Sequence, residues 1–302
     1  MEALDIAQQL VNGLTVGSIY ALVALGYTMV YGVLKMINFA HGDLFALGAY
    51  LALTLFGVTA AVSRAGAWLG LAVVALAIAA VVGVAGVLTE RIAYRPLRQA
   101  GRLPPLVSAL GISVFLQNGI MLTWGARPRA FQHDLGLETG LTIAGVRVTP
   151  MQIVILLAGL ALMVALYLFV QHTKVGAAMR AIAVDHETAR LMGIDVNRII
   201  QLVFIIGPAL GGLAGMMVGL YYHQLNFTIG WSYGLKAFTA AILGGIGNIP
   251  GAMLGGLVLG LAEALAAGVS GQWKDAIAFV VLIVILVVRP TGLLGERVAE
   301  KI

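Results

Sequence analysis

Residues 35–50 read KMINFAHGDLFALGAY, and they interrupt a chain that is otherwise close to hydrocarbon. Upstream, residues 6–34 contain no Asp, Glu, Lys or Arg, and downstream residues 44–63 contain none either. About 20 apolar residues carry a helix across the hydrocarbon of a bilayer, so each flank is long enough to span. Lys35, Asn38, His41 and Asp43 are gathered between them. How this stretch is read decides the architecture: plain spans joined by short loops, or backbone broken at membrane depth.

Apolar residues make up 61% of the 302 and charged residues 10%. A soluble domain carries about a quarter charged residues, so this chain has too few to cover a water-facing surface, and lipid must be its main solvent. The 39 glycines fit, because small residues let membrane helices approach closely. The absence of cysteine excludes disulfides, thiolate metal sites and cysteine nucleophiles. The net charge of +5 is read as an orientation signal rather than a nucleic-acid footprint. The start, MEALD, is acidic and lacks the basic region of a signal peptide, so the first apolar segment is expected to be retained.

The expected fold is all-α and polytopic. Spans are read at residues 6–34, 44–63, 65–89, 103–126, 151–170, 199–222 and 276–288, with residues 237–268 forming either two crossings or a re-entrant pair. Eight transmembrane helices are preferred, and seven plus a re-entrant pair is the other count. Pro104 and Pro105 suit the first turn of the fourth span. Arg91, Arg95, Arg98 and Arg102 follow the third span, Lys174, Arg180, Arg190 and Arg198 follow the fifth, and Arg289, Arg297 and Lys301 lie in the tail. The positive-inside rule makes all three segments cytoplasmic and the N-terminus external. Arg127, Arg129 and Arg147 in the external loop at residues 125–150 run against the rule.

Residues 35–43 admit two readings. One is a short cytoplasmic loop with Lys35 and Asp43 solvated. The other is unwound backbone at Asn38, Phe39 and Ala40, with His41, Gly42 and Asp43 opening the next helix and Asp43 favoured at its positive end. Such backbone survives at membrane depth only where protein or a water-filled cavity satisfies it. A second break is LGGIGNIPGAMLGG, residues 243–256, with Asn248 and Pro250 at its centre. It is either a tight surface turn or a meeting of two half-helices beside a pathway. Asn38 precedes Gly42 as Asn248 precedes Gly251, which suggests a weak internal repeat. Glu263, in LAEALAAG, has no charged neighbour in sequence. It is placed at the outer interface, or else at mid-membrane, where a carboxylate costs about 2.5–3.5 kcal/mol and is a functional candidate. His223 joins Tyr221 and Tyr222 in an interfacial aromatic belt.

The loop at residues 171–198, QHTKVGAAMRAIAVDHETARLMGIDVNR, is far more polar than its surroundings. Residues 177–184 and 186–192 read as short helices, with Gly193 as C-cap and Asp195 or Asn197 capping the next span. Ala189 and Met192 are read on one face and Glu187 and Arg190 elsewhere. Its mixed charge fits a protein partner better than an anionic bilayer surface.

From Ala183 to Gly215, AVDHETARLMGIDVNRIIQLVFIIGPALGGLAG resembles the coupling loop and following span of branched-chain amino acid ABC importer permeases. INFAHGDLFALGAY, LGGIGNIPGAMLGG and RPTGLLG (residues 289–295) are similar to further segments of that family, in order along nearly the whole chain. The closest type is the H-type member of the paired permeases. The resemblance implies a single permease domain over residues 1–302 with its coupling loop at 171–198, sitting in the lipid bilayer of a bacterial inner membrane. It implies an M-type permease partner, two cytoplasmic ATPase subunits and a periplasmic binding protein delivering leucine, isoleucine or valine. Urea, amide and other amino acid systems share this permease type.

No G-x-x-x-x-G-K-[ST] motif is present, so ATP is expected on the partner subunits, with no cofactor or metal on this chain and no catalysis of its own. Asp185, Glu187, Ala189 and Gly193 are assigned to ATPase coupling, with a small-residue knob at Glu187, Ala189 and Gly193. Many such permeases carry Glu-Ala-Ala before the glycine, and here Thr188 replaces the middle alanine. Asn38, His41, Gly42, Asp43, Asn248 and Glu263 are assigned to the translocation path. A passive channel with two half-helix breaks is the alternative, although it has no use for a partner-docking loop. An intramembrane enzyme would need a motif such as H-E-x-x-H or G-x-S-x-G, and neither occurs.

Overall fold

The computed structural model describes residues 3–59, 67–98, 100–101, 103–131, 140–143 and 145–295. Arg102, Arg297 and Lys301 of the basic segments lie outside the described residues. Nine helices of 15 residues or more form the body: α1 (Ala3–Leu34), α2 (His41–Thr59), α3 (Ala67–Thr89), α4 (Leu103–Trp124), α5 (Pro150–His172), α8 (Val196–Tyr222), α9 (Ile229–Gly244), α10 (Ile249–Val269) and α11 (Lys274–Val288). Between α5 and α8 lie α6 (Lys174–Val184) and α7 (His186–Leu191). Six helical stretches are long and apolar enough to cross a bilayer: Leu4–Leu34, Trp68–Leu97, Leu103–Trp124, Pro150–His172, Val196–Tyr222 and Ile249–Val269. Residues 229–288 make three helices, α9, α10 and α11, so the long helices among the described residues number nine against the eight preferred from the sequence.

The outer helices show what solvent they meet. Leu69, Leu76 and Val84 of α3 and Phe115 and Leu122 of α4 point outward, fully exposed. An apolar face of that extent is incompatible with water. The core instead gathers on α1, which is buried continuously from Ile19 to Leu25 and packs against α10, α8, α9 and α5.

The connections sort to two ends. At one end, Gln8 of α1 exchanges hydrogen bonds with the backbone of Arg147 (3.0 and 2.8 Å). There β1 (Arg129–Ala130) pairs with β4 (Gln224–Leu225), and β2 (Leu141–Ile143) pairs with β3 (Val146–Val148). These two small antiparallel ribbons are an addition to the all-α reading. At the other end sit α6, α7, the α9–α10 turn and the tail. The tail is held by Leu293 N–H to Leu243 O (2.8 Å) and Leu294 N–H to Gly244 O (3.0 Å).

α3 does not stop at Thr89. It continues as a π-turn over Glu90–Tyr94 and a 3₁₀ turn over Arg95–Leu97. This widening turns Glu90 and Tyr94 into the protein. Local π-turns are enriched at functional sites.

Candidate functional site

α1 ends at Leu34, and Lys35 reverses the chain with a left-handed φ of 54°. The following residues do not run out into water. Asn38 and Ala40 are buried, and α2 begins with the His41 ring beside Val23 of α1, Nε2–H donating to the Val23 carbonyl at 3.2 Å. Val23 lies 11 residues before the end of α1, about 16 Å along its axis. The chain therefore folds back deep alongside α1 before α2 starts, and the reading of residues 35–43 as a solvated loop is set aside. Lys35 alone of the charged groups there is exposed, while Asp43 is 2% exposed.

Most polar groups of the break are held, while Asn38 Nδ2 and His41 Nδ1 are buried without a hydrogen-bond partner. Asn38 Oδ1 accepts from Ala40 N–H (3.1 Å) and from the Tyr94 hydroxyl (3.3 Å), which also donates to Ile37 O at 3.1 Å. His41 meets Tyr27 edge-on at 4.7 Å between ring centroids. Asp43 Oδ2 accepts from the Ser113 hydroxyl of α4 at 2.5 Å. Gly42 packs directly on Gly230 and Gly234 of α9, and a Cβ on Gly42 would run into the Gly230 carbonyl. Only glycine allows that approach.

The second break is built differently. α9 and α10 are two helices joined by a tight turn in which Gly245 and Gly247 take φ of 105° and 97°. Residues 237–268 thus lie in an antiparallel helix pair, a form shared by two crossings and a re-entrant pair. Asn248 caps α10, its Oδ1 accepting from Gly251 N–H at 2.9 Å, and its Nδ2 donates to Leu294 O at 2.8 Å. Asn248 fastens the turn and tail at one end of the bundle, away from Asn38, His41, Gly42 and Asp43. Asn38 and Asn248 share a local capping habit but sit at different depths.

Glu263 is not at an interface. It is buried in α10, ion-paired through Oε1 with Lys236 Nζ of α9 at 2.5 Å, and its Oε2 accepts from Tyr20 of α1 at 2.7 Å. A signal for the pair was present: Lys236 and Glu263 are the two charged side chains between Arg198 and Lys274, and their signs are opposite.

In the loop, the Thr173 hydroxyl caps α6 and Asp185 caps α7. Asp185 accepts from the Thr188 hydroxyl (2.8 Å) and from the N–H groups of Glu187 (2.8 Å) and Thr188 (3.3 Å). These donors, the Thr188 hydroxyl first, hold its carboxyl below the ordinary aspartate range. Gly193 takes φ 82° and closes α7, Ile194 N–H bonding to Ala189 O and Gly193 N–H to Arg190 O, and Asp195 caps α8. The facing differs from expectation. Ala189 is 3% exposed and packs inward, so it forms no knob with Glu187 and Gly193, and it does not share a face with Met192. Val184 (89%), Leu191 (87%) and Met192 (78%) are the apolar groups that project.

The loop is wired to the break by two chains of contact. His186 Nε2–H donates to Val33 O at 2.8 Å, in the last turn of α1. Asn197 accepts from Arg98 at 3.0 Å, and Arg98 pairs with the buried Glu90 in the π-turn that carries Tyr94 to Asn38.

A helical membrane protein with a polar break folded back into its interior, tied to a projecting helix pair at one end, has the make-up of a transporter's membrane subunit. Comparison with known proteins gives the family. Residues 9–286 match the family model described as branched-chain amino acid transport system / permease component, and the chain belongs to that family. It is 47% identical to the high-affinity branched-chain amino acid transport system permease protein BraD of Pseudomonas aeruginosa, over 98% of this chain and 97% of that one. It is 43% identical to the permease protein LivH of Escherichia coli K12, which carries the same description, at the same coverage. A more distant relative is the ribose import permease protein RbsC of Escherichia coli K12, 29% identical over 92% of this chain and 84% of that one. No solved structure matches the chain. The chain is a multi-pass membrane permease component, not an enzyme.

Proposed function

We propose that this chain is the H-type permease of an ATP-driven importer for branched-chain amino acids, in a bacterial inner membrane. It works beside a second, M-type permease, with two cytoplasmic ATPases docked below and a periplasmic binding protein delivering solute above. The observation that carries this reading is the projecting apolar triad Val184, Leu191 and Met192 on a capped helix pair. Three exposed apolar side chains on a short polar element call for a protein surface to cover them. The end bearing them also bears Arg91, Arg95 and Arg98, which fits a cytoplasmic face.

ATP is hydrolysed on the partner subunits, and this chain converts their motion into a change at the break. Displacement of α6–α7 moves Val33 through His186, and Asn38 through Arg98, Glu90 and Tyr94. Asn38, His41, Gly42 and Asp43 line the path at its narrow point. Asn248 and Glu263 hold helices in place and do not touch solute. A passive channel needs neither the triad nor these linkages.

The test is solute entry into liposomes holding the two permeases, with and without ATPases, binding protein and ATP. Leucine uptake that requires all of them supports the reading. Equilibration without ATP overturns it.

A further inference from the structure

Asp43 keeps one oxygen in reserve. Its Oδ2 is met by Ser113, but its Oδ1 has no hydrogen-bond partner among the described residues and lies against Gly230. The residue is otherwise enclosed, so a carboxylate oxygen with no donor beside it favours a group that brings one. Beside it is a small cleft whose walls are the rings of Tyr27, Phe39, Trp231 and Phe238, with Leu235 and the glycines of α9. Phe238 stands 5.9 Å from Tyr27 and 6.3 Å from Phe39 between ring centroids. No Lys, Arg or His lines the cleft. The space left is ≈ 10 Å³, room for one water-sized group.

A carboxylate oxygen bordered by aromatic rings, with no Lys, Arg or His in the cleft lining, has a definite preference. The carboxylate supplies charge and a hydrogen-bond acceptor, and ring faces attract cations. An ammonium head is about the size of the vacancy, whereas a carboxylate or phosphate would be repelled by Asp43. We propose that Asp43 and these four rings form a binding site for a primary ammonium group, occupied in turnover by the α-ammonium of the amino acid in transit. This rests on the importer reading above and adds the group of the substrate that the permease itself reads. Glycine at 42, 230 and 234 lets the backbone stand close enough for so small a site.

The chain contains no cysteine, so Leu235→Cys places one thiol on the cleft wall. The complete importer carrying it is reconstituted in phosphatidylglycerol–phosphatidylcholine liposomes, which lack amine lipids. Labelling of this chain by methanethiosulfonates bearing an ammonium or a sulfonate is followed by mass spectrometry. The ammonium reagent should react at least about tenfold faster, a floor set well under the full Coulomb attraction of one charge contact at an effective dielectric near 20. Asp43→Asn should bring the two rates within about twofold, Asp43→Glu should keep the preference, and leucine under turnover should slow the ammonium reagent.

Equal rates in the parent, a preference that survives Asp43→Asn, or no reaction with either reagent overturns the proposal. Protection by added phosphatidylethanolamine but not by leucine assigns the site to a lipid amine and overturns the amino acid assignment. Leucine uptake is measured in the same liposomes. Uptake without charge preference removes this inference alone, and failure of uptake removes the importer reading with it.

Discussion

Glu263→Gln removes the anion from the buried ion pair of α9 and α10. Lys236 Nζ stands 2.5 Å from Glu263 Oε1, and the Tyr20 hydroxyl holds Oε2 at 2.7 Å. At an effective dielectric of 20 the Coulomb attraction at that distance is about 7 kcal/mol. Desolvation of the two ions costs several kcal/mol each and offsets most of it. The intact pair therefore contributes little net stability. Removing one partner leaves the other's desolvation uncompensated, and the expected loss is about 3–5 kcal/mol. Lys236→Met should cost a similar amount, because it leaves the buried carboxylate without its cation. The double variant Lys236→Met, Glu263→Gln carries no buried charge and should be more stable than either single variant. Unfolding of the purified chain in mixed micelles, titrated with dodecyl sulfate, gives all four corners of the cycle. Single losses under about 1 kcal/mol, the range of a solvated pair, would refute the reasoning. So would a double variant that is additive within about 0.5 kcal/mol.

Leu191→Asp should abolish ATPase co-purification while leaving membrane levels of the chain unchanged, whereas Ala189→Trp should lower the stability of the loop itself by about 1–3 kcal/mol, because Ala189 packs inward; limited proteolysis of the loop separates the two. Tyr94→Phe keeps the ring against Phe204 (5.2 Å) but releases Ile37 and Asn38, and should lower leucine uptake severalfold at unchanged ATP hydrolysis, a ratio read in proteoliposomes. Asp185 has a folded-state pKa below its unfolded value, so the stability of its cap is fully present above the unfolded pKa, near 3.9, and is lost as pH falls through the depressed one. ATPase co-purification should accordingly be flat from pH 8 to about pH 5, and Asp185→Asn, which can still cap, should be tolerated better than Asp185→Ala.

The spans were legible because charge-free runs are a property of the chain alone. The edges of α1, α4, α5 and α8 fall within a few residues of those read from the sequence, and Gly193 and Asp195 cap where their residue types suggest. Depth was not legible. Residues 35–43 and 243–256 both look like polar or glycine-rich interruptions, yet one folds back beside Val23 and the other closes a turn at the end of the bundle. What distinguishes them is the partner each finds. Tyr94 and Ser113 are 51 or more residues from Asp43 in sequence and draw the first break inward, while the tail at Leu294 covers the second. The facing of α7 failed for another reason. Six residues make under two turns, so periodicity cannot fix which side is buried. Lys236 and Glu263 were separated by 27 residues and by a break, and their pairing depends on α9 and α10 lying antiparallel.

The site and the docking loop are joined by hydrogen bonds and an ion pair rather than by a continuous helix, and this has a mechanical consequence. A helix running from the loop to the break would move both rigidly together. Here α1 ends at the point where His186 grips Val33, and the next residues are non-helical until His41. Under the proposed function, a push on α7 would bend the chain at Lys35, the one non-glycine residue of the break with positive φ. The second chain of contact, Asn197 to Arg98 to Glu90, enters through the π-turn, a local departure from the α-helix of the kind frequent at functional sites. Both inputs converge on the five residues before α2. The opposite wall of the site, α9 at Gly230 and Gly234, is anchored to α10 and α1 through Lys236, Glu263 and Tyr20. One wall is thus hung on movable joints and the other is fixed by a buried ion pair, which is the asymmetry a gate needs if ATPase motion is to open it between two discrete packings.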